Sequence, residues 1–151
     1  MTDYRSLNRL EVLRDGLPVG ELTRTAKGSR FRYSDAYLAS GEPAIALHLP
    51  VRAEGVAAEG VANLPTYFAG LLPEGVMLDA ARTAIRASAD DLFAILAATG
   101  FDAVGDIQVR APGETKHATL NLAEASRLAG QLATGKIDPG LISGFPGVQP
   151  K

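Results

Sequence analysis

The chain has 151 residues, 46% of them hydrophobic and 21% charged, with a net charge of −2 and no cysteine. That length suits one domain with a real core, and that charge argues against broad or direct nucleic-acid binding. The missing cysteines exclude a disulfide framework and a thiolate metal site, no apolar run is long enough to span a bilayer, and Met1 is not followed by a secretory leader, so a cytoplasmic protein without membrane contact is expected.

Residues 9–14 and 17–23 read as strands joined by Asp15-Gly16, a dipeptide suited to a type I′ turn. Pro18 cannot donate to a ladder, so it is expected at an open edge or a bulge. A turn at residues 26–29, tightest at Gly28, leads into residues 30–33, where Phe31 and Tyr33 alternate with Arg30 and Arg32 as in a half-buried strand. Ser34-Asp35 caps a short turn carrying Tyr37 and Leu38 and ended by Gly41 and Pro43. Ile45, Leu47 and Leu49 alternate with Ala46 and His48, which predicts a fourth strand stopped by Pro50. His48 has no cysteine or second histidine beside it and is a poor metal ligand. Residues 53–57 and 58–62 repeat the unit Ala-Glu-Gly-Val-Ala, too short a period for a structural repeat, and read as a surface loop.

Residues 66–75 hold the densest apolar run, and it stops abruptly at Pro73-Glu74-Gly75. Pro65 fits a first helical position, with Asn63 or Thr66 as cap, and Phe68, Leu71 and Leu72 fall on one helical face. Pro73 and Gly75 turn the chain, and a second helix runs from Val76 to about Arg86. Leu72 is expected in the core and Glu74 in solvent. Residues 88–91 resemble a capping box ahead of a helix ending near residue 99, with Leu92, Phe93, Ile95 and Leu96 buried and Gly100 as the C′ residue. Asp90 and Asp91 favour the helix dipole, and Asp102 and Asp106 are turn formers. Residues 106–110 make a fifth strand, closed by Pro112-Gly113. An amphipathic helix follows at 122–132, stopped by Gly135, and then a glycine- and proline-rich tail at 139–151.

Charge is unevenly spread. Residues 1–33 carry seven basic and four acidic side chains, and residues 34–106 carry three and ten. Arg24, Lys27, Arg30 and Arg32 therefore form a basic patch beside an acidic body. The expected fold is α+β: a small, curved, mostly antiparallel five-stranded sheet or partial barrel, covered by helices at 64–86 and 89–99. Residues 1–110 form the domain, 111–138 a helical extension, and 139–151 a flexible tail.

Taken in order, several segments resemble the N-terminal subdomain of HipA-like serine/threonine kinase toxins. Tyr67–Gly75 is similar to that family's FF-x-NLLPEG signature. Val12…Asp15-Gly16…Val19-Gly20-Glu21-Leu22 is similar to its opening V…G…VG.L. Phe31-Arg32-Tyr33, Tyr37-Leu38 and Pro43–Pro50 are similar to its F.Y…YL…P.SLSLP, with His48 where a small polar residue is usual. Residues 90–96, 100–102 and 104–109 follow in family order, so the likeness covers about residues 10–110.

The resemblance implies a non-catalytic module that packs on and restrains a HipA- or HipT-type kinase core, as in the standalone HipS-like form of a toxin–antitoxin system. A helix-turn-helix HipB-type antitoxin is a second expected partner. Two alternatives stand beside this: the severed front of a full-length HipA-like kinase, and a small barrel that binds DNA or a ligand through the Arg24–Arg32 face. Partner contacts are expected at Glu74 and at Arg24, Arg30 and Arg32. The end of the chain, Gly147-Val148-Gln149-Pro150-Lys151, resembles the glycine-rich phosphate loop of the family, with Gly147, Gln149 and Lys151 as its loop residues, and Ser143 lies near the family's phosphorylatable serine. A kinase needs a catalytic Asp, metal-binding Asp and Asn, and a lysine–carboxylate pair beyond that loop. None follows Lys151, and no Ser-His-Asp, G-x-S-x-G or H-E-x-x-H set is present. No enzymatic activity, metal or cofactor is therefore expected, with ATP entering only if the chain is joined to a kinase core.

Overall fold

A computed structural model describes residues 2–59, 63–103 and 105–114. The helix expected at 122–132, the tail at 139–151, and Ser143, Gly147, Gln149 and Lys151 lie outside the described residues. Strand β1 (Arg9–Arg14) turns at Asp15-Gly16 into β2 (Leu17–Arg24). Both turn residues have positive φ, 50° and 79°, as a type I′ hairpin requires. Pairing slips between Val12 and Leu13, where Gly20 and then Pro18 are the partners, so Val19 is the bulged residue. Pro18 thus sits beside the bulge and beyond the reach of β3 (Gly28–Tyr33), which pairs with β2 from Gly20 to Arg24.

Gly28 is not the tight point of its turn. It has no positive φ and begins the strand; a Cβ there would meet the Ala58 carbonyl oxygen at 2.0 Å. The missing side chain serves close approach of β4 (Val56–Glu59), which runs antiparallel to β3. This strand corrects two expectations. The repeat at 53–62 contributes a strand rather than only a loop, and residues 45–49 form none. Tyr33 explains the second: its hydroxyl accepts from the Ile45 N–H and donates to the Leu49 carbonyl, so a side chain takes the place of a neighbouring strand. Leu49 is buried, whereas Leu47 is 90% exposed. The predicted count of five strands holds, with a different fourth member. The antiparallel sheet has the order β4-β3-β2-β1-β5, with β5 (Ile107–Arg110) on β1.

Ser34 caps α1 (Asp35–Ser40) by accepting from the Tyr37 N–H, and Gly41 closes it in the left-handed region. Leu10, Val12, Leu22, Phe31, Ile107 and Val109 lie in one core with Phe68 of α2 (Thr66–Ala69), the alanines of α3 (Gly75–Ile85) and nearly all of α4 (Leu92–Thr99). Because α4 is apolar all round, it is buried all round, from Phe93 to Thr99. Its cap is Asp91, whose carboxylate accepts from the Ala94 N–H at 3.1 Å, so the helix starts later than residue 89 and Ser88 is not its cap. Gly100 is not left-handed either: φ is −69°, and a Cβ would meet Val109 Cβ at 2.8 Å. Glycine is needed there for packing against β5.

The ends of the described domain are tied together. Tyr4 is buried and its hydroxyl donates to Glu114 Oε1 at 2.7 Å, while Glu114 Oε2 accepts from the Ala111 N–H at 3.2 Å. Burial first, and then the hydrogen bond and charge of Glu114, push the Tyr4 hydroxyl well above the usual tyrosine range. The folded state therefore keeps a proton that the unfolded chain loses near pH 10. The stabilisation is complete below that pH and is expected to fall by about 1.4 kcal/mol per pH unit above it. Urea midpoints between pH 9 and 11.5 should show a shallower loss for Tyr4→Phe than for the parent. Parallel curves would mean that Tyr4 ionises freely in the native state.

Candidate protein-binding corner

The corner between α2 and α3 is built by residues that cannot continue one helix. Pro65 precedes α2 as its N-cap, one position earlier than the first helical turn, and neither Asn63 nor Thr66 supplies a side-chain cap. Past Ala69 the chain holds on through Leu71 N–H to Phe68 carbonyl (3.1 Å) and Leu72 N–H to Ala69 carbonyl (3.3 Å). Pro73 then ends the turn, and Gly75, with φ of 57°, starts α3.

Only Phe68 of the predicted stripe lies in the core. Its ring centroid is 5.1 Å from that of Phe31 and 5.4 Å from that of Tyr67. Leu71 and Leu72 are half-buried, because α2 has ended before them. With Pro73, Met77 and Ala103 they line a groove of about 190 Å³. The core role expected of Leu72 is thus corrected to a groove wall. Glu74 is exposed as expected, and Val76 beside it is 51% exposed.

Of the four basic side chains expected on one face, Lys27 lies exposed in the turn between β2 and β3, and the other three are divided by strand parity. Arg24 is the cross-strand partner of buried Ser29 and points inward with Leu22. Its guanidinium holds Asp91 through Nη1 at 2.9 Å and Nη2 at 3.2 Å, donates Nε to the Leu7 carbonyl at 2.7 Å, and sits 4.4 Å from the Phe93 ring centre. Arg24 is therefore not an exposed partner contact. The same alternation applied to residues 22–24 would have shown it, since Leu22 and Arg24 share a face.

Arg30 and Arg32 do lie outside, where they donate to the Glu54 and Ala53 carbonyls at 2.9 and 3.2 Å. Arg32, Glu21, Glu11 and Arg110 form one row across four strands. The two adjacent glutamates would repel, but Arg110 bonds Glu11 at 2.9 Å and Arg9 lies 3.6 Å from Glu21. The result is an open trough whose charges are internally matched, in place of a basic patch. Asp106, read as a turn former, has that role through its carbonyl, which accepts from the Asp15 N–H at 3.0 Å, and its carboxylate also pairs with Arg14 at 3.2 Å. No pattern in the sequence linked Arg14 to Asp106.

Among the described residues no three His, Asp or Glu side chains cluster as a metal site, and no helix is long and apolar enough to cross a membrane. His48 is exposed. The features offered to a partner are an apolar groove with an exposed glutamate and valine on its lip, and a charge-matched sheet face.

Residues 10–110 match the family model described as HipA N-terminal domain. No curated protein matches the chain. Among solved structures, the chain is similar to one from the Shewanella oneidensis MR-1 toxin–antitoxin system HipA, HipB and operator DNA complex, with 23% identity and a TM-score of 0.58. That match covers 82% of this chain and 29% of the other, so the chain spans under a third of its structural relative's length. At that identity the likeness shows the fold.

Proposed function

The chain belongs to the HipA N-terminal domain family, and from that membership we propose that it is a non-catalytic module that packs on a serine/threonine kinase core of the HipA type and modulates or neutralises it. The domain identified is the N-terminal one rather than a catalytic one. The observation that carries the reading is the corner: Leu71, Leu72, Pro73 and Met77 leave an apolar groove open beside exposed Glu74 and Val76. Half-buried leucines next to a charged lip are the anatomy of a protein interface, with an apolar centre and a polar rim. Arg30 and Arg32 flank a second, weaker contact surface, and no direct DNA contact or cofactor is proposed for the module itself. A HipB-type antitoxin would reach it through the kinase-bound assembly, in the cytoplasm.

The test compares stability with co-purification of a HipA-type kinase core. Glu74→Lys and Val76→Asp alter exposed side chains at the start of α3, where an aspartate also suits the helix dipole. Val76→Asp should keep the parent melting temperature, Glu74→Lys should lower it only slightly because a cation then faces the N-terminal dipole of α3, and both should weaken retention of the core by about tenfold or more. Leu72→Ala should lower stability by less than the ~2 kcal/mol at which fully buried Leu→Ala losses begin, and should also weaken retention. Unchanged retention in all three variants would place the interface elsewhere.

A second reading, that the same domain is the front of a longer HipA-like kinase, is favoured by its matching only 29% of the structural relative. The corner would then pack within one polypeptide. Immunoblotting the protein from its native cells separates the two readings by size.

A further inference from the structure

We propose that the groove between the β1–β2 turn and α1 docks a basic peptide segment, seating one large apolar side chain against Leu17 and Tyr37 and a lysine or arginine between Asp15 and Glu42. The groove encloses about 340 Å³, enough for one large side chain and part of a second. Leu17 is 70% exposed at the head of β2, with Pro18 beside it and Ala36 and Tyr37 opposite.

The aromatic wall is already fixed. Tyr37 stacks on Tyr33 with centroids 5.2 Å apart and planes 12° from parallel. Its hydroxyl donates to the Pro43 carbonyl at 2.7 Å and accepts from Arg14 at 3.1 Å. A ligand meeting this ring has little side-chain freedom to remove on binding.

Electrostatics choose the sign of the ligand. Arg14 is the groove's one cation, and it is held by Asp106 at 3.2 Å and by Tyr37. Asp15 and Glu42 are exposed, and neither enters an ion pair among the described residues. An apolar floor with an uncompensated acidic rim attracts a cationic amphipathic segment and repels acidic peptides and nucleic acid. This groove shares no lining residue with the groove at the α2–α3 corner, and its proposal does not rest on the kinase reading.

The test uses the full chain and two sets of labelled octapeptides read by fluorescence polarisation. One set places Leu, Phe, Met or Trp between Lys or Arg residues, and the other replaces those cations with Asp or Glu. At least one basic peptide should saturate. Its affinity should fall about tenfold in Asp15→Asn/Glu42→Gln and in Leu17→Ser, with unchanged melting temperature, and should fall with added salt. Asparagine tolerates the left-handed conformation at position 15, so the turn survives the first variant. No binding by any basic peptide, equal binding by the acidic set, or full affinity in both variants would overturn the proposal.

Discussion

Phe68→Ala should destabilise the domain by about 3–5 kcal/mol, the range for deleting a fully buried aromatic ring. Phe68 has no exposed surface and is the one member of the apolar run that reaches the core, where it meets Phe31 from the middle of the sheet. The helix that carries it is four residues long and has no side-chain cap, so the ring, rather than intrinsic helicity, holds α2 in place. Collapse into the hole is opposed by Phe31 and Tyr33, whose rings are fixed edge to face at 4.8 Å. Chemical denaturation would read the loss directly. Because the α2–α3 corner hangs from this anchor, Phe68→Ala should also weaken retention of a kinase core, through the same disorder. Phe68→Leu keeps much of the volume and should lose substantially less. A loss under about 1 kcal/mol for the alanine variant would mean that the corner is held by something other than this ring.

Asp91→Ala is expected to come next, at about 2–4 kcal/mol, because one carboxylate has two duties. It caps α4 through the Ala94 N–H, and it takes both terminal nitrogens of Arg24. The pair keeps 23% and 20% exposure, so water screens part of the penalty of stranding Arg24, and the estimate sits below that for a fully buried pair. Asp91→Asn retains the cap and removes the charge, so it should recover about 1 kcal/mol of the loss. Combining Asp91→Ala with Arg24→Met should cost less than the two single losses added, since the stranded charge is gone as well. Strict additivity in that cycle would show that Arg24 and Asp91 do not act as a unit.

Local chemistry decided the hairpin, the capped α1, the period-2 pattern of β3 and the break at Pro73-Glu74-Gly75. Each depends on residues close in sequence: positive φ at Asp15-Gly16, a serine hydroxyl three residues from the N–H it caps, and a proline that ends a helix. Gly28 and Gly100 were recognisable as special positions, but their reason lay in another strand. Both were read as turn or cap glycines, and both instead let a neighbouring backbone approach. Leu47 and Leu49 show the same limit. Their alternation satisfied a strand pattern, yet one hydroxyl from Tyr33 replaced the ladder and left Leu47 in solvent.

The site divides along the same line. An apolar corner ending in an exposed Glu74 could be read from the chain, because burial and turn chemistry act over a few residues. That Leu72 walls a groove rather than filling the core depended on where α2 stopped, at Ala69, before the chain reached it. The basic patch was a fact about composition that strand parity dissolved: Arg24 shares a face with Leu22 and turns to Asp91, while Arg30 and Arg32 stay outside on backbone carbonyls. Linear sequence specifies which side chains exist and the period at which they recur. Partners such as Arg14 with Asp106, an ion pair, or Tyr4 with Glu114, a hydrogen bond, lie some ninety or more residues apart, and only closure of the sheet and its helices brings them together.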